Sequence, residues 1–119
     1  PVYVISGHIT NKSKNVINYV KLKSDFLSAG ENVYEQTVYA GNTITENELK
    51  TLPIDDAILK LKRKSGDIDF ENPRKLAGLN YSIEPGETVP FFTIFPSKNR
   101  VLGLKYDISV VDYEELDLD

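Results

Sequence analysis

The hydrophobic period of this chain changes in its middle, across Thr37-Val38-Tyr39-Ala40-Gly41-Asn42-Thr43-Ile44-Thr45-Glu46-Asn47-Glu48-Leu49. Before this stretch apolar residues alternate, as they do in strands; after it they recur at helical spacing, and alternation returns later. Such a pattern confines the chain to β-structure interrupted by a helical segment. Gly41-Asn42 ends the strand side. Thr45 followed three residues later by Glu48 is a capping box, which satisfies free N–H groups at a helix start. A short helix is predicted over 46–51 and a second after Pro53, whose fixed φ suits a first turn. In the second, Ile54, Ala57, Ile58 and Leu61 make one apolar stripe. Asp55 and Asp56 near its start, and Lys62, Arg63 and Lys64 near its end, suit the helix dipole. The basic cluster is therefore read as a solvated helix end, with Gly66 as the stop signal.

The flanking segments read as strands. Over residues 2–10, Tyr3, Ile5, Gly7 and Ile9 alternate and are expected inward, with Gly7 admitting a close neighbour. Asn11 to Asn15 is a polar turn. Over 16–28, Val20, Leu22, Ser24 and Phe26 share one face, and Lys21, Lys23 and Asp25 the other. A turn at 29–32 leads to a third strand, 33–40, paired back on the second. Residues 65–79 read as loop, 80–83 as strand, and Glu84-Pro85-Gly86-Glu87 as a type II turn. Thr88 to Phe95 is apolar on both faces and is expected to be a central strand. The last strand is placed at 104–112 with Leu104, Tyr106, Ile108 and Val110 inward, followed by an acidic tail, 113–119, expected to fray. About six strands joined by short turns predict a mainly β fold: an immunoglobulin-like antiparallel β-sandwich. A helical insertion, about 45–64, is placed between strands 3 and 4.

Composition bounds the rest. With 119 residues the chain is expected to be one domain with its own core. A net charge of −4 argues against nucleic-acid binding, which needs a basic surface. No apolar run reaches membrane-spanning length. The lack of Cys excludes a disulfide framework and a thiol nucleophile within this sequence, and the lack of Met predicts a processed product or an excised domain. Without a Cys pair or a Trp it is not an antibody-type domain.

Several segments together resemble a known family: Ile5-Ser6-Gly7-His8-Ile9-Thr10-Asn11-Lys12-Ser13, Tyr39-Ala40-Gly41-Asn42, Glu48-Leu49-Lys50-Thr51-Leu52, and Pro85-Gly86-Glu87 with Val89-Pro90-Phe91 and Phe95. The chain, over about residues 3–112, is similar to a bacterial domain of unknown function that follows an N-terminal zinc ribbon and one transmembrane helix. It is also similar to the FxLYD domain and to the sandwich of late-embryogenesis-abundant type 14 proteins. It departs from the FxLYD pattern at Phe26-Leu27-Ser28, where that family carries Leu-Tyr-Asp, and in a longer loop at 71–79. The resemblance implies a membrane-anchored protein tethered through a segment absent from this chain, with this domain on the periplasmic side. It implies no catalytic residue and no cofactor.

The residues offer little chemistry. His8 is the single His, and with Ser6 on the same strand face it lacks an oxyanion loop, so it is read as a surface residue. Asp67, Asp69 and Glu71 present oxygen at alternating positions that Ca²⁺ could use, although the Gly and closing Glu of an EF-hand loop are missing; the competing reading is a polar loop. Tyr39 and Asn42 could form a recognition element, or a strand end whose Asn bonds loop backbone. Three functions are weighed: a non-enzymatic interaction or scaffold module binding a protein partner through a sheet edge or the helical insertion; a small-ligand or Ca²⁺-binding extracytoplasmic domain; and a protective protein like the late-embryogenesis-abundant sandwiches.

Overall fold

The structure, a computed structural model, describes residues 2–64, 80–97 and 100–116. It is mainly β, with two antiparallel sheets. Strand β2 (Val16–Ser28) lies at the centre of the larger sheet, between β3 (Glu31–Tyr39) and β5 (Lys105–Leu116); β1 (Val2–Thr10) and β4 (Thr88–Pro96) form the smaller. Two short helices, α1 (Glu46–Thr51) and α2 (Ile54–Lys62), lie between β3 and β4. Loop 65–79, with its expected stop at Gly66 and the Ca²⁺ candidates Asp67, Asp69 and Glu71, falls outside the described residues.

The alternation of β2 is expressed in full. Val20, Leu22, Ser24 and Phe26 are buried, while Lys21, Lys23 and Asp25 face outward, where Lys23 lies 3.6 Å from Glu35 and 3.9 Å from Asp25. The β2–β3 turn is tighter than expected. Ala29 and Gly30 both take positive φ, 52° and 80°, the geometry of a two-residue hairpin turn, so β3 begins at Glu31 rather than residue 33.

In β1 the expected inward set holds: Tyr3, Ile5, Gly7 and Ile9 are half-buried and their neighbours exposed. Gly7 lies opposite Phe91, and a Cβ there would stand 2.8 Å from Phe91 Cε1 and 2.9 Å from Cζ. The ring is buried in the core cluster, so making room for the methyl group disturbs its packing. Gly7→Ala should therefore destabilise by about 1–2 kcal/mol, an overpacking cost of ~1–3 that outweighs the ~0.5–1 gained by replacing a strand Gly. Urea unfolding checks this, and Phe91→Leu should relieve part of the loss in the double variant.

Three expectations are corrected. Strand β4 is not central: it pairs only with β1 among the described residues. Away from β1, the Ile94 N–H is taken up by a side chain, donating to Gln36 Oε1 at 3.0 Å, and Gly41 N donates to Pro90 O at 2.6 Å. The strand expected at 80–83 reduces to one bridge, Ile17 to Ile83. Ser82 has φ 54°, which a ladder does not accommodate, and its N–H goes to Asn18 Oδ1 at 2.7 Å. Finally, Tyr113 to Leu116 do not fray: they continue β5 because the 13-residue β2 extends far enough to pair Val16 with Leu116.

The helices form as their sequence dictates. Thr45 Oγ1 accepts from Glu48 N at 3.1 Å and Glu48 Oε1 accepts from Thr45 N at 3.0 Å, closing the capping box. Pro53 takes the N-cap of α2 rather than its first turn, and Ala57 and Leu61 are buried with Ile54 and Ile58 beside them. The Lys60 ammonium bonds Glu48, and this bond, followed by the Thr45 N–H, holds the Glu48 carboxyl below its ordinary value of 4.5. A group whose pKa falls on folding stabilises the fold above its unfolded value, and that contribution is lost as pH drops through the folded value. Glu48→Gln keeps an acceptor for Thr45 N but cannot titrate. Its urea midpoint should therefore fall less than the native one on acidification below pH 4.5; parallel curves would sink this account.

Candidate functional site

The least covered element among the described residues is β5: from Lys105 to Glu115 every residue except Ile108 is exposed. Tyr106, Ile108 and Val110 lie opposite Phe26, Ser24 and Leu22, all buried, so they point to the inner side as their alternation predicts. Yet Tyr106 is 57% exposed and Val110 53%, and only Ile108 packs on the core. The expected burial of Tyr106 and Val110 fails because a two-stranded sheet faces a three-stranded one. Contacts of β4 with β3 and α2 place β4 on the β3 side, and among the described residues the inner face of β5 is covered only in part.

The edge of β5 away from β2 carries no strand among the described residues. At 12 residues it is about twice an ordinary strand's length. The alternation breaks at Val110-Val111, where the register against Lys21-Leu22 shifts, placing one extra residue in β5. Beyond it Tyr113 joins Val110, Ile9, Ile17, Val20 and Ile83 around an apolar cavity of about 190 Å³. That is below the ~300–1,000 Å³ of small-molecule sites. It is near the ~150 Å³ cavity that holds one benzene ring, and so suits a single large side chain.

One wall of the cavity is held by Asn11 together with the Ile17–Ile83 bridge. Asn11, buried in the β1–β2 connection, donates through Nδ2 to Asn15 O at 2.8 Å and Ile83 O at 2.9 Å. Its Oδ1 accepts from Ser13 N at 2.9 Å, and its backbone N–H and C=O bond Glu87 O and Gly86 N. The 84–87 segment closes as the expected type II turn, with Gly86 at φ 84° and Glu87 N donating to Glu84 O at 2.9 Å.

Charge along β5 is uneven, with one Lys against four carboxylates. Glu114 lies 3.8 Å from Lys64, and Glu115 accepts from Asn15 Nδ2 at 2.9 Å. Asp107 and Asp112 lie opposite Asp25 and Lys21 on the outward face. Like charges face each other in the Asp25–Asp107 pair, which is unfavourable in a sheet.

The remaining candidates lie elsewhere. Asn42 donates through Nδ2 to Leu61 O at 2.8 Å and Arg63 O at 2.7 Å, clasping the end of α2 to the exit of β3. Tyr39 sits edge-on to Tyr19 at 6.5 Å, Tyr81 is 5.8 Å from Tyr19, and Lys64 lies 4.3 Å above the Tyr19 ring. Ser6 and His8 are exposed on the outward face of β1. Among the described residues no group of three or more His, Cys, Asp or Glu could hold a metal ion, and no helix is long and apolar enough to cross a membrane. Sequence reasoning missed β5 as a site, although the Val110-Val111 break in alternation was a legible sign of a bulge. Comparison with protein-family models, curated proteins and solved structures gives no match.

Proposed function

We propose that this chain is a non-enzymatic protein-interaction module that receives an extended partner segment along the free edge of β5. The observation that carries this reading is a long edge strand exposed on both faces, with apolar side chains on its inner side. Such an edge offers a row of backbone donors and acceptors to which an extended segment can add as a further strand. The two packed antiparallel sheets and the helices between β3 and β4 support an immunoglobulin-like sandwich with a helical insertion. The family resemblance supports placing the module on the periplasmic side of a membrane-anchored bacterial protein.

The absence of Cys makes site-specific crosslinking simple, because an introduced thiol is unique. Ser109→Cys puts it on β5 and Ser6→Cys on the outward face of β1, both exposed. Each is loaded with a photocrosslinker and incubated in a bacterial envelope extract. A discrete adduct from Ser109→Cys, with none from Ser6→Cys, supports the reading. Equal adducts from both, or none from either, overturn it.

A further inference from the structure

We infer that the segment received by β5 is an extended stretch in which apolar residues alternate with neutral or cationic ones. It carries Lys or Arg beside Asp107 and Asp112, and one large apolar side chain at the cavity next to Val110 and Tyr113. This deepens the interaction reading and rests on it.

A strand laid on the free edge of β5 sends alternate side chains to opposite sides. Its inward set meets Tyr106, Ile108, Val110 and Tyr113, and apolar residues there gain burial that β5 alone does not provide. Its outward set meets Asp107, Ser109 and Asp112. Glu114 and Glu115 already have partners in Lys64 and Asn15, whereas Asp107 faces another carboxylate, Asp25. A cation beside Asp107 relieves that repulsion; Asp112, which faces Lys21 on β2, presents a second exposed carboxylate on the same face of β5. On β2 the residues opposite these two, Asp25 and Lys21, are four apart because β5 carries the extra bulge residue. The partner's two basic residues therefore fall four apart, as they do on β2, which keeps both on one face of the partner strand. A second copy of this chain is the wrong occupant. It would bring another β5 with the same excess of carboxylates against the first, and like charges across a sheet pair oppose it. The cavity is close to the size of one ring, so a single large apolar side chain of the segment can anchor there.

The probe is a fluorescein-labelled synthetic peptide of about nine residues, an ordinary strand's span. In it Val alternates with Thr and two Lys, with one inward Phe; its counterparts carry Glu for Lys or Ala for Phe. Fluorescence anisotropy against the native chain should show the Lys peptide binding about tenfold tighter than the Glu peptide, a preference that added salt erodes. Hydrogen exchange should slow at β5 amides on binding. The Ala peptide should lose affinity, as should Val110→Arg against the Lys peptide. The double variant Asp107→Lys/Asp112→Lys, at exposed positions that leave the circular dichroism unchanged, should invert the choice and prefer the Glu peptide. Equal affinity for the Lys and Glu peptides overturns the inference, as does binding without β5 protection or no binding at all. If the Ser109→Cys adduct still forms in such a case, the interaction reading stands and only the partner's chemistry falls. If it does not, both fall. Self-association of the free chain with β5 amides protected would also overturn it, in favour of a second copy.

Discussion

Phe26→Ala should lower the free energy of unfolding by about 3–5 kcal/mol, the range for truncating a buried aromatic residue. Its ring is fully buried and lies 5.1 Å from Phe95 and 6.1 Å from Tyr34. Phe95 in turn stacks on Tyr34 at 5.1 Å and on Tyr3 at 5.7 Å. Four rings from β1, β2, β3 and β4 thus meet at one end of the two sheets. Removing Phe26 leaves a void that three stacked rings cannot close without abandoning one another. A domain holds only about 5–15 kcal/mol in total, so the variant should unfold at far lower urea, with an unchanged slope. The decisive control is Tyr106→Ala. Tyr106 lies directly opposite Phe26 on β5 but is 57% exposed, so its loss should cost less than about 1 kcal/mol. Similar costs for the two would contradict the burial described for this row.

Leu61→Ala should cost about 2–5 kcal/mol, and it tests how the helices are held. Leu61 is fully buried in one cluster with Val38 of β3, Val89 and Ile94 of β4, and Ala57 and Ile44. It is the last of the stripe that begins at Ile54. Because the cluster is shared, the loss should appear as a single lowered midpoint with sheet and helix amides opening together. A hydrogen-exchange pattern in which only 46–62 opens faster, with the urea midpoint unmoved, would show instead that the helices are a detachable unit.

The helices were the most legible part of the chain, because their signals are local. Thr45 and Glu48 are three residues apart, and the Ile54–Leu61 stripe spans two turns, so each can be read without knowing what it packs against. The faces of β2 were legible for the same reason. What could not be read depends on distant partners. Tyr106 and Val110 alternate correctly, but their burial is decided by how many strands stand opposite, and pattern within β5 carries no information about that number. Ser82 sits in an apparent strand, yet the Asn18 carboxamide captures its N–H and the ladder stops after one bridge. Tyr113 to Leu116 looked like a solvated tail because their charges are visible in sequence and their pairing with Val16 to Asn18 is not. At the candidate site the chemistry was visible and the placement was not. Asp107 and Asp112 are plain in the sequence; that they border an open sheet edge is a fact of topology. Asn42 was the reverse case: its backbone-bonding alternative matches the clasp on Leu61 and Arg63.

The pairing of β1 with β4 fixes the order in which this chain can assemble. Val2 meets Pro96 and Thr10 meets Thr88, so β1 finds its only described sheet partner far along the chain, beyond both helices. The β2–β3 hairpin, closed by Ala29-Gly30, needs no distant residue and can form within about 1–10 μs. Strand β1 must wait until a loop spanning most of the chain has closed, which puts folding among the slower, topology-limited β-proteins. During synthesis β1 therefore emerges long before β4 and stays without that partner while β2, β3 and the helices take shape behind it.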